Sequence, residues 1–243
     1  MFAALVDLVL PTSCAGCGAA GGLRGPQGGA SRAGLAVGAW CDRCADRVAG
    51  GPVRVPPSRW LSGLPPVVAG GVYAGPLREA VNAYKEHGRH GLAAALGDRL
   101  AVAARACVPA GCAGALLVPV PATPAAARRR FGDHVTRLAR RAAAGLTRAG
   151  VPGAVGFPLR ALPRPDSVGL TAAQRVAAAR AGLRLRPGRL GDVRVAVAAG
   201  VCLILVDDVI TSGATLDAAA GLLRSAGLPV TAAATVAYTP RRP

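Results

Sequence analysis

Two adjacent acids, Asp207 and Asp208, close the apolar run Leu203-Ile204-Leu205-Val206 in this 243-residue chain, and Val209-Ile210-Thr211-Ser212-Gly213-Ala214-Thr215 follows them. An apolar strand that ends in carboxylates places them where α/β sheets bind ligands. The next residues supply three hydroxyls, Thr211, Ser212 and Thr215, and a glycine that lets the backbone close around an anion. A helix starting near Thr215 aims its free N–H groups and positive dipole end at the same spot. The pattern suits a phosphate with a vicinal diol beside it, because carboxylates accept from hydroxyls and N–H groups donate to phosphate. Two other readings compete. The metal-holding strand of a P-loop NTPase needs G-x-x-x-x-G-K-[ST], and the only lysine, Lys85, follows Ala83-Tyr84. The plain structural reading makes the acids helix-start residues and the hydroxyls caps.

A second constellation is Cys14-x₂-Cys17, 23 residues, then Cys41-x₂-Cys44. Paired C-x-x-C knuckles at such spacing describe a four-thiolate zinc site, and closed Cys₄ sites are structural. A segment this poor in apolar residues gains its folding energy from the metal. Cys107, Cys112 and Cys202 are not expected as ligands, and Cys202, within an apolar strand, reads as a small core residue.

Elements to position these groups follow from periodicity. Residues 1–50 form the cysteine module, with a Gly-rich insert between its pairs, and 51–66 is a Pro/Gly-rich linker. Across 67–243 the chain alternates. Strands are expected at Val67–Tyr73, Leu116–Val120, Val155–Leu162, Val195–Val206 and Val230–Tyr238. Helices are expected at Pro76–Tyr84, Gly91–Cys107, His134–Ala149 and Thr215–Ala226, with a further start at the capping box Thr171-Ala-Ala-Gln174. The run Val195–Val206 reads as a strand buried on both faces, as in a parallel sheet. The expected class is α/β: a mostly parallel sheet flanked by helices, with a small N-terminal zinc-ribbon module.

Net charge is +17, which favours anionic partners, although a GC-rich coding bias toward arginine accounts for scattered surface charge equally well. No aromatic residues interleave with the densest runs, Arg128–Arg130 and Arg140–Arg141. Met1–Leu10 lacks a basic start and contains Asp7, so a signal peptide is not expected. The longest apolar run, at 12 residues, is too short to span a bilayer. With the odd cysteine count, these features predict a soluble protein of a reducing cytoplasm.

At Val206–Thr215 the chain resembles the signature of type I phosphoribosyltransferases, which bind phosphoribosyl diphosphate (PRPP). That resemblance implies that Asp207 and Asp208 bind the ribose hydroxyls and carry catalysis. It implies a PRPP-binding stretch of Val209, Ile210, Thr211, Ser212, Gly213, Ala214 and Thr215, in which Val209 and Ile210 pack and the others hold the 5′-phosphate. Together with the four-cysteine knuckle it resembles the ComF family, bacterial phosphoribosyltransferase-like proteins linked to DNA uptake in competence. Val118-Pro119-Val120-Pro121 is similar to that family's pyrophosphate-side loop, and Tyr84-Lys85-x-x-Gly88 to its Y-K-x-x-G segment. The implied diphosphate side is Pro119, Val120, Pro121, Lys85, Arg128, Arg129, Arg130 and Arg175, with Mg²⁺ accompanying PRPP and structural Zn²⁺ on Cys14, Cys17, Cys41 and Cys44. Two segments depart from the family: Arg130-Phe131-Gly132-Asp133-His134 stands for R-G-F-N-Q, and Ser167 replaces a glutamine before Val168-Gly169-Leu170-Thr171. Both belong to the expected cover over the diphosphate. His134 reads as a cap or surface group beside a catalytic alternative, and His87 and His90, flanking Gly88, as exposed beside an anion-contact alternative.

Three functions follow as expectations. The chain is an enzyme transferring phosphoribosyl from PRPP to an acceptor, a DNA-uptake factor that binds single-stranded DNA or nucleotide through a retained PRPP fold, or a scaffold whose zinc module docks a partner.

Overall fold

The computed structural model describes residues 13–20, 39–57, 61–130, 132–163 and 171–240. In chain order the elements are α1 (Asp42–Val48), β1 (Val53–Arg54), β2 (Val67–Ala69), α2 (Gly75–Glu86), α3 (Ala93–Ala106), β3 (Gly114–Pro119), α4 (Pro124–Arg129), α5 (His134–Arg148), β4 (Gly153–Val155), β5 (Leu159–Ala161), α6 (Ala172–Ala181), β6 (Leu183–Leu185), α7 (Leu190–Ala198), β7 (Val201–Ile210), α8 (Ala214–Ser225) and β8 (Ala232–Tyr238).

Period-two burial in β3 and β7 dictates the layers. Ala115, Leu117, Cys202, Ile204 and Val206 turn to one face and pack with Leu96, Leu100, Leu138 and Leu146 of α3 and α5. Leu116, Val118, Leu203 and Leu205 turn to the other and pack with Leu216, Ala220 and Leu223 of α8. Between them lies a six-stranded sheet in the order β1-β2-β8-β7-β3-β4. Every pairing is parallel except β1 with β2. The molecule is thus an α/β protein with a mostly parallel sheet flanked by helices, and a four-cysteine cluster lies near its N-terminus. A separate antiparallel pair, β5 with β6, brackets α6. The Pro/Gly-rich stretch expected as a linker contributes the edge strand β1.

Three expected strands change. Val195–Ala198 closes α7 instead of opening a strand, and Val195 is 71% exposed. Gly200, at φ +81°, stops that helix, and β7 starts only at Val201. An apolar run cannot by itself distinguish a helix end from a strand. β7 also runs beyond the acids to Ile210, because β8 continues beside it and pairs Asp207 with Thr235 and Ile210 with Tyr238. Val155–Leu162 splits between β4 and β5, which belong to different sheets. β2 stops at Ala69; beyond it Gly70 N donates to Thr235 O at 2.8 Å and an isolated bridge joins Val72 to Tyr238.

The capping box at α6 forms in both directions: Thr171 N donates to Gln174 Oε1 at 2.8 Å, and Gln174 N donates to Thr171 Oγ1 at 3.3 Å. Cys202 is more than a core residue, since it forms a disulfide with Cys112 that ties the start of β7 to the turn before β3. The two sit close because β3 and β7 begin in register, Gly114 opposite Val201. Among the described residues no helix is long and apolar enough to cross a membrane.

Candidate functional site

β3 leads through α4 and α5 to β4 on one side of the sheet, whereas β7 leads through α8 to β8 on the other. Neighbouring parallel strands whose connections diverge leave a crevice beyond their carboxyl ends, the switch point where open α/β sheets take ligands. A cavity of about 600 Å³ occupies that position. Its walls include Val120–Thr123 after β3, Asp207, Asp208, Thr211 and Thr215 on and after β7, and Lys85, Arg129, Arg130, His134 and Arg175 around the rim.

The alternation along β7 separates the two acids. Asp208 shares the face of Val206 and Ile204, toward α2 and α5, and is 5% exposed. Its Oδ2 lies 2.9 Å from Lys85 Nζ and 2.5 Å from His134 Nε2. Burial alone pushes the Asp208 carboxyl up; Lys85 and then His134 outweigh it and hold the group well below the usual carboxylate range. The Lys85 ammonium is raised in turn, since the charge and hydrogen bond of Asp208 outweigh its desolvation. Among the described residues, half-buried Asp207 makes no ion pair, and Lys85 acts on it only at longer range. Burial first, and the charge of Asp208 second, push its carboxyl up to about 8 against the opposing effects of the Asp208 N–H and of Lys85.

The direction of that shift sets a pH dependence. A carboxyl raised in the folded state from about 3.9 in the unfolded chain holds a proton that the unfolded chain releases, so stability falls as pH rises between the two values. The ligand-free protein is expected to lose stability from about pH 4 to about pH 8, and Asp207→Asn to flatten that slope in urea unfolding followed across pH.

Local sequence explains how these groups meet. Buried Tyr84 donates to His134 O at 2.9 Å and pins the last turn of α2 to the first turn of α5, which carries Lys85 to Asp208. Asp133 caps α5, its Oδ1 accepting from Thr136 N at 3.1 Å, while its Oδ2 accepts from Ala122 N at 3.0 Å and fixes the loop after β3. The sequence reading passed over Asp133, although an acid directly before an amphipathic helix is an N-cap signal. His134, expected as a cap or surface group beside a catalytic alternative, is neither cap nor surface group. The reason is that α5 packs its first turn over β7 and leaves His134 6% exposed.

After Ile210 the chain turns through Thr211, Ser212 and Gly213 into α8. Gly213 takes φ +82°, and a Cβ there would stand 3.1 Å from Leu64 and 3.3 Å from Leu61, so the position requires glycine. Ser212 Oγ accepts from Ala214 N at 3.4 Å. Of the residues expected at the site, the cavity gathers Asp207, Asp208, Thr211, Thr215, Lys85, Val120, Pro121, Arg129, Arg130 and Arg175. It does not gather Pro119, buried in β3, or exposed Arg128. Nor do Val209, Ile210, Ser212, Gly213 and Ala214 line it; Ile210 and Ala214 are core residues and Val209 packs against the opposite cluster. Arg130 is held at the end of α2, donating from Nε to Lys85 O at 3.1 Å and from Nη2 to Glu86 Oε1 at 2.8 Å. His87 is exposed, and His90 Nδ1 lies 3.1 Å from Arg137 Nη1. Phe131 and Ser167 of the expected cover lie outside the described residues.

The cysteine quartet is assembled. The four Sγ atoms lie within 4.8 Å of one another, and Cys17 Sγ is 3.8 Å from Cys41 Sγ. Four thiolates at about 2.3 Å from a tetrahedral metal stand about 3.8 Å apart, so the cluster fits a metal ion. Cys14 Sγ accepts from Cys41 N at 3.3 Å and Gly16 N at 3.4 Å. Burial raises the Cys14 thiol, but the backbone donors of Cys41, Gly16 and Cys17 outweigh it and bring it down to about 6. Burial drives Cys44 upward. The cluster is no loose appendage, since Trp40, Ala45 and Val48 share one core with Leu77, Ala80 and Tyr84.

No family model matches this sequence, and no curated protein matches it.

Proposed function

We propose that the crevice beyond β3 and β7 binds the ribose 5-phosphate portion of PRPP or a related ligand, in the manner of a type I phosphoribosyltransferase. The observation that supports this most directly is the convergence, at the switch point of the sheet, of an acid pair, the hydroxyl-bearing Thr211 and Thr215 at the N-terminus of α8, and a rim of basic side chains. In this reading Thr211, Thr215 and the α8 dipole hold the 5′-phosphate, the acids take the ribose hydroxyls, and Arg129, Arg130 and Arg175 face the diphosphate with the Val120–Pro121 loop. Transfer would break the C1–O bond to diphosphate, the electron pair leaving with it, while an acceptor lone pair forms the new bond to C1. The protein's part is positioning and stabilising the departing charge. The rim offers oxygen donors, the Asp207 carboxylate with the Thr211 and Thr215 hydroxyls, which suits a hard cation, and Mg²⁺ bound with the diphosphate would neutralise part of its charge. The cysteine cluster is assigned to structural Zn²⁺, the ion that Cys₄ tetrahedra with no open position commonly hold.

Calorimetric titration of the full, zinc-loaded chain with PRPP and Mg²⁺ tests the site. Saturable binding is expected, weakened about tenfold or more by Asp207→Ala, which removes a hydrogen-bond partner of the ribose hydroxyls. Absence of heat in the wild type sinks the reading. The net charge of +17 supports a second one, single-stranded DNA binding. Affinity that falls steeply with salt and ignores PRPP would favour it over transfer.

A further inference from the structure

A second basic cavity lies at the opposite end of α2 from Lys85. It measures about 310 Å³, is lined by Arg47, Arg99, Gly50, Gly51 and the start of α2 among others, and has no acid among the described residues of its walls. Arg99 is 2% exposed. Its Nη2 donates to Gly50 O at 2.7 Å and to Gly70 O, yet Nε and Nη1 find no partner among the described residues. Three of the five guanidinium N–H groups are therefore buried and unsatisfied. A buried, incompletely paired cation is strongly disfavoured unless a counter-charge reaches it.

The neighbours supply the rest of an anion site. α2 has 12 residues, and its N-cap, Ala74, offers no side-chain cap. The N–H groups of Gly75 and Leu77 in the first turn are thus left to an external acceptor, while Pro76 has none to give. Arg47, exposed on α1, reaches this turn: a Cβ on Gly75 would meet its Nη2 at 2.9 Å. Gly71 keeps the floor open, since a Cβ there would stand 2.9 Å from Leu77 Cδ2 and 3.7 Å from Arg99 Nη2.

We propose that this cavity is a second oxyanion site, taking a phosphate group between Arg99, Arg47 and the N-terminus of α2. Guanidinium forks match phosphate oxygens in pairs, and the volume lies near the lower limit for small-molecule sites, which favours inorganic phosphate or diphosphate over a nucleotide. The site lies between the cysteine cluster and the sheet edge, and does not depend on the ribose-phosphate reading of the first crevice.

The test uses the full, zinc-loaded chain carrying Thr211→Val and Thr215→Val, which removes phosphate hydroxyl contacts from the first crevice. Calorimetric titration with inorganic phosphate, and separately with diphosphate, is expected to show one remaining site, and the tighter of the two titrants names the occupant. Adding Arg47→Ala is expected to weaken that site about tenfold or more. Arg99→Met is expected to abolish it while leaving the urea midpoint unchanged or higher, because an uncompensated buried charge is removed. The proposal is overturned if the parent variant binds neither anion, or if Arg47→Ala titrates like its parent. It is equally overturned if Arg99→Met lowers the midpoint and still binds, which would make Arg99 a structural tie. Arg47 lies on the surface, so its variant decides the matter even if Arg99→Met fails to fold.

Discussion

Lys85→Met is expected to destabilise the folded chain by about 3 kcal/mol, the usual cost of leaving one partner of a buried ion pair behind. Asp208 is 5% exposed, and its Oδ2 is 2.9 Å from Lys85 Nζ. Methionine keeps the apolar stem and removes the charge, so His134 alone faces the buried carboxylate. Lys85→Arg is not expected to restore the loss. A planar guanidinium cannot occupy the place of a compact ammonium beside the His134 ring, and Arg130 already packs against the Lys85 backbone. Combining Lys85→Met with Asp208→Asn should recover much of the stability, because two neutral groups need no counter-charge. A double-mutant cycle in urea measures the coupling directly. The acid limb moves as well. The Asp208 carboxyl is depressed when folded, so its contribution is present above about pH 4 and is lost as pH falls through the lower folded value. Without Lys85 that loss begins at higher pH. Equal midpoints for wild type and Lys85→Met would remove the pair from any structural role and leave the lysine free for ligand.

Loss of the metal ion assigned to the four-cysteine cluster is the other large expected effect. Chelation, or Cys44→Ser, is expected to lower the melting temperature by about 10 °C or more, since metal binding is folding energy where the segment cannot fold alone, and each kcal/mol shifts a chain of this size by about 2–4 °C. The loss should spread beyond the knuckles. Trp40 is 2% exposed and packs in the same cluster as Leu77 and Tyr84, and Arg89 Nη2 on the main body donates to Ser13 O at 2.8 Å. Tyr84 in turn holds Lys85 and His134 in register. Metal removal is therefore expected to red-shift tryptophan emission and, with it, to weaken the PRPP binding proposed for the crevice. Emission that shifts while binding and melting stay constant would confine the metal to a local role.

The element pattern was legible because most segments carry one unambiguous period. The α5 stripe of Val135, Leu138, Ala142 and Leu146, the capping box at Thr171 and the C-x-x-C pairs are local signals, and each appears at its expected place. The run Val195–Val206 misled because alanine and valine satisfy a helix end and a buried strand alike. Only the left-handed turn at Gly200 divides them. The cysteine count pointed away from disulfides, yet the pairing of Cys112 with Cys202 depends on strand register, which no local pattern encodes.

The acid pair with its loop shows the same division. Residue types and spacing, by themselves, determined that two carboxylates would precede a hydroxyl-rich turn at a helix start, because strand, turn and cap are short-range events. Tertiary structure alone decided that the acids are unequal. Alternation along β7 sends Asp208 to Lys85 and His134, brought from α2 and α5 across 123 and 74 residues of chain, and leaves Asp207 at the crevice with its carboxyl raised. Charge compensation in a low-dielectric interior depends on which groups the packing brings within a few ångströms, and that distance is a property of the fold.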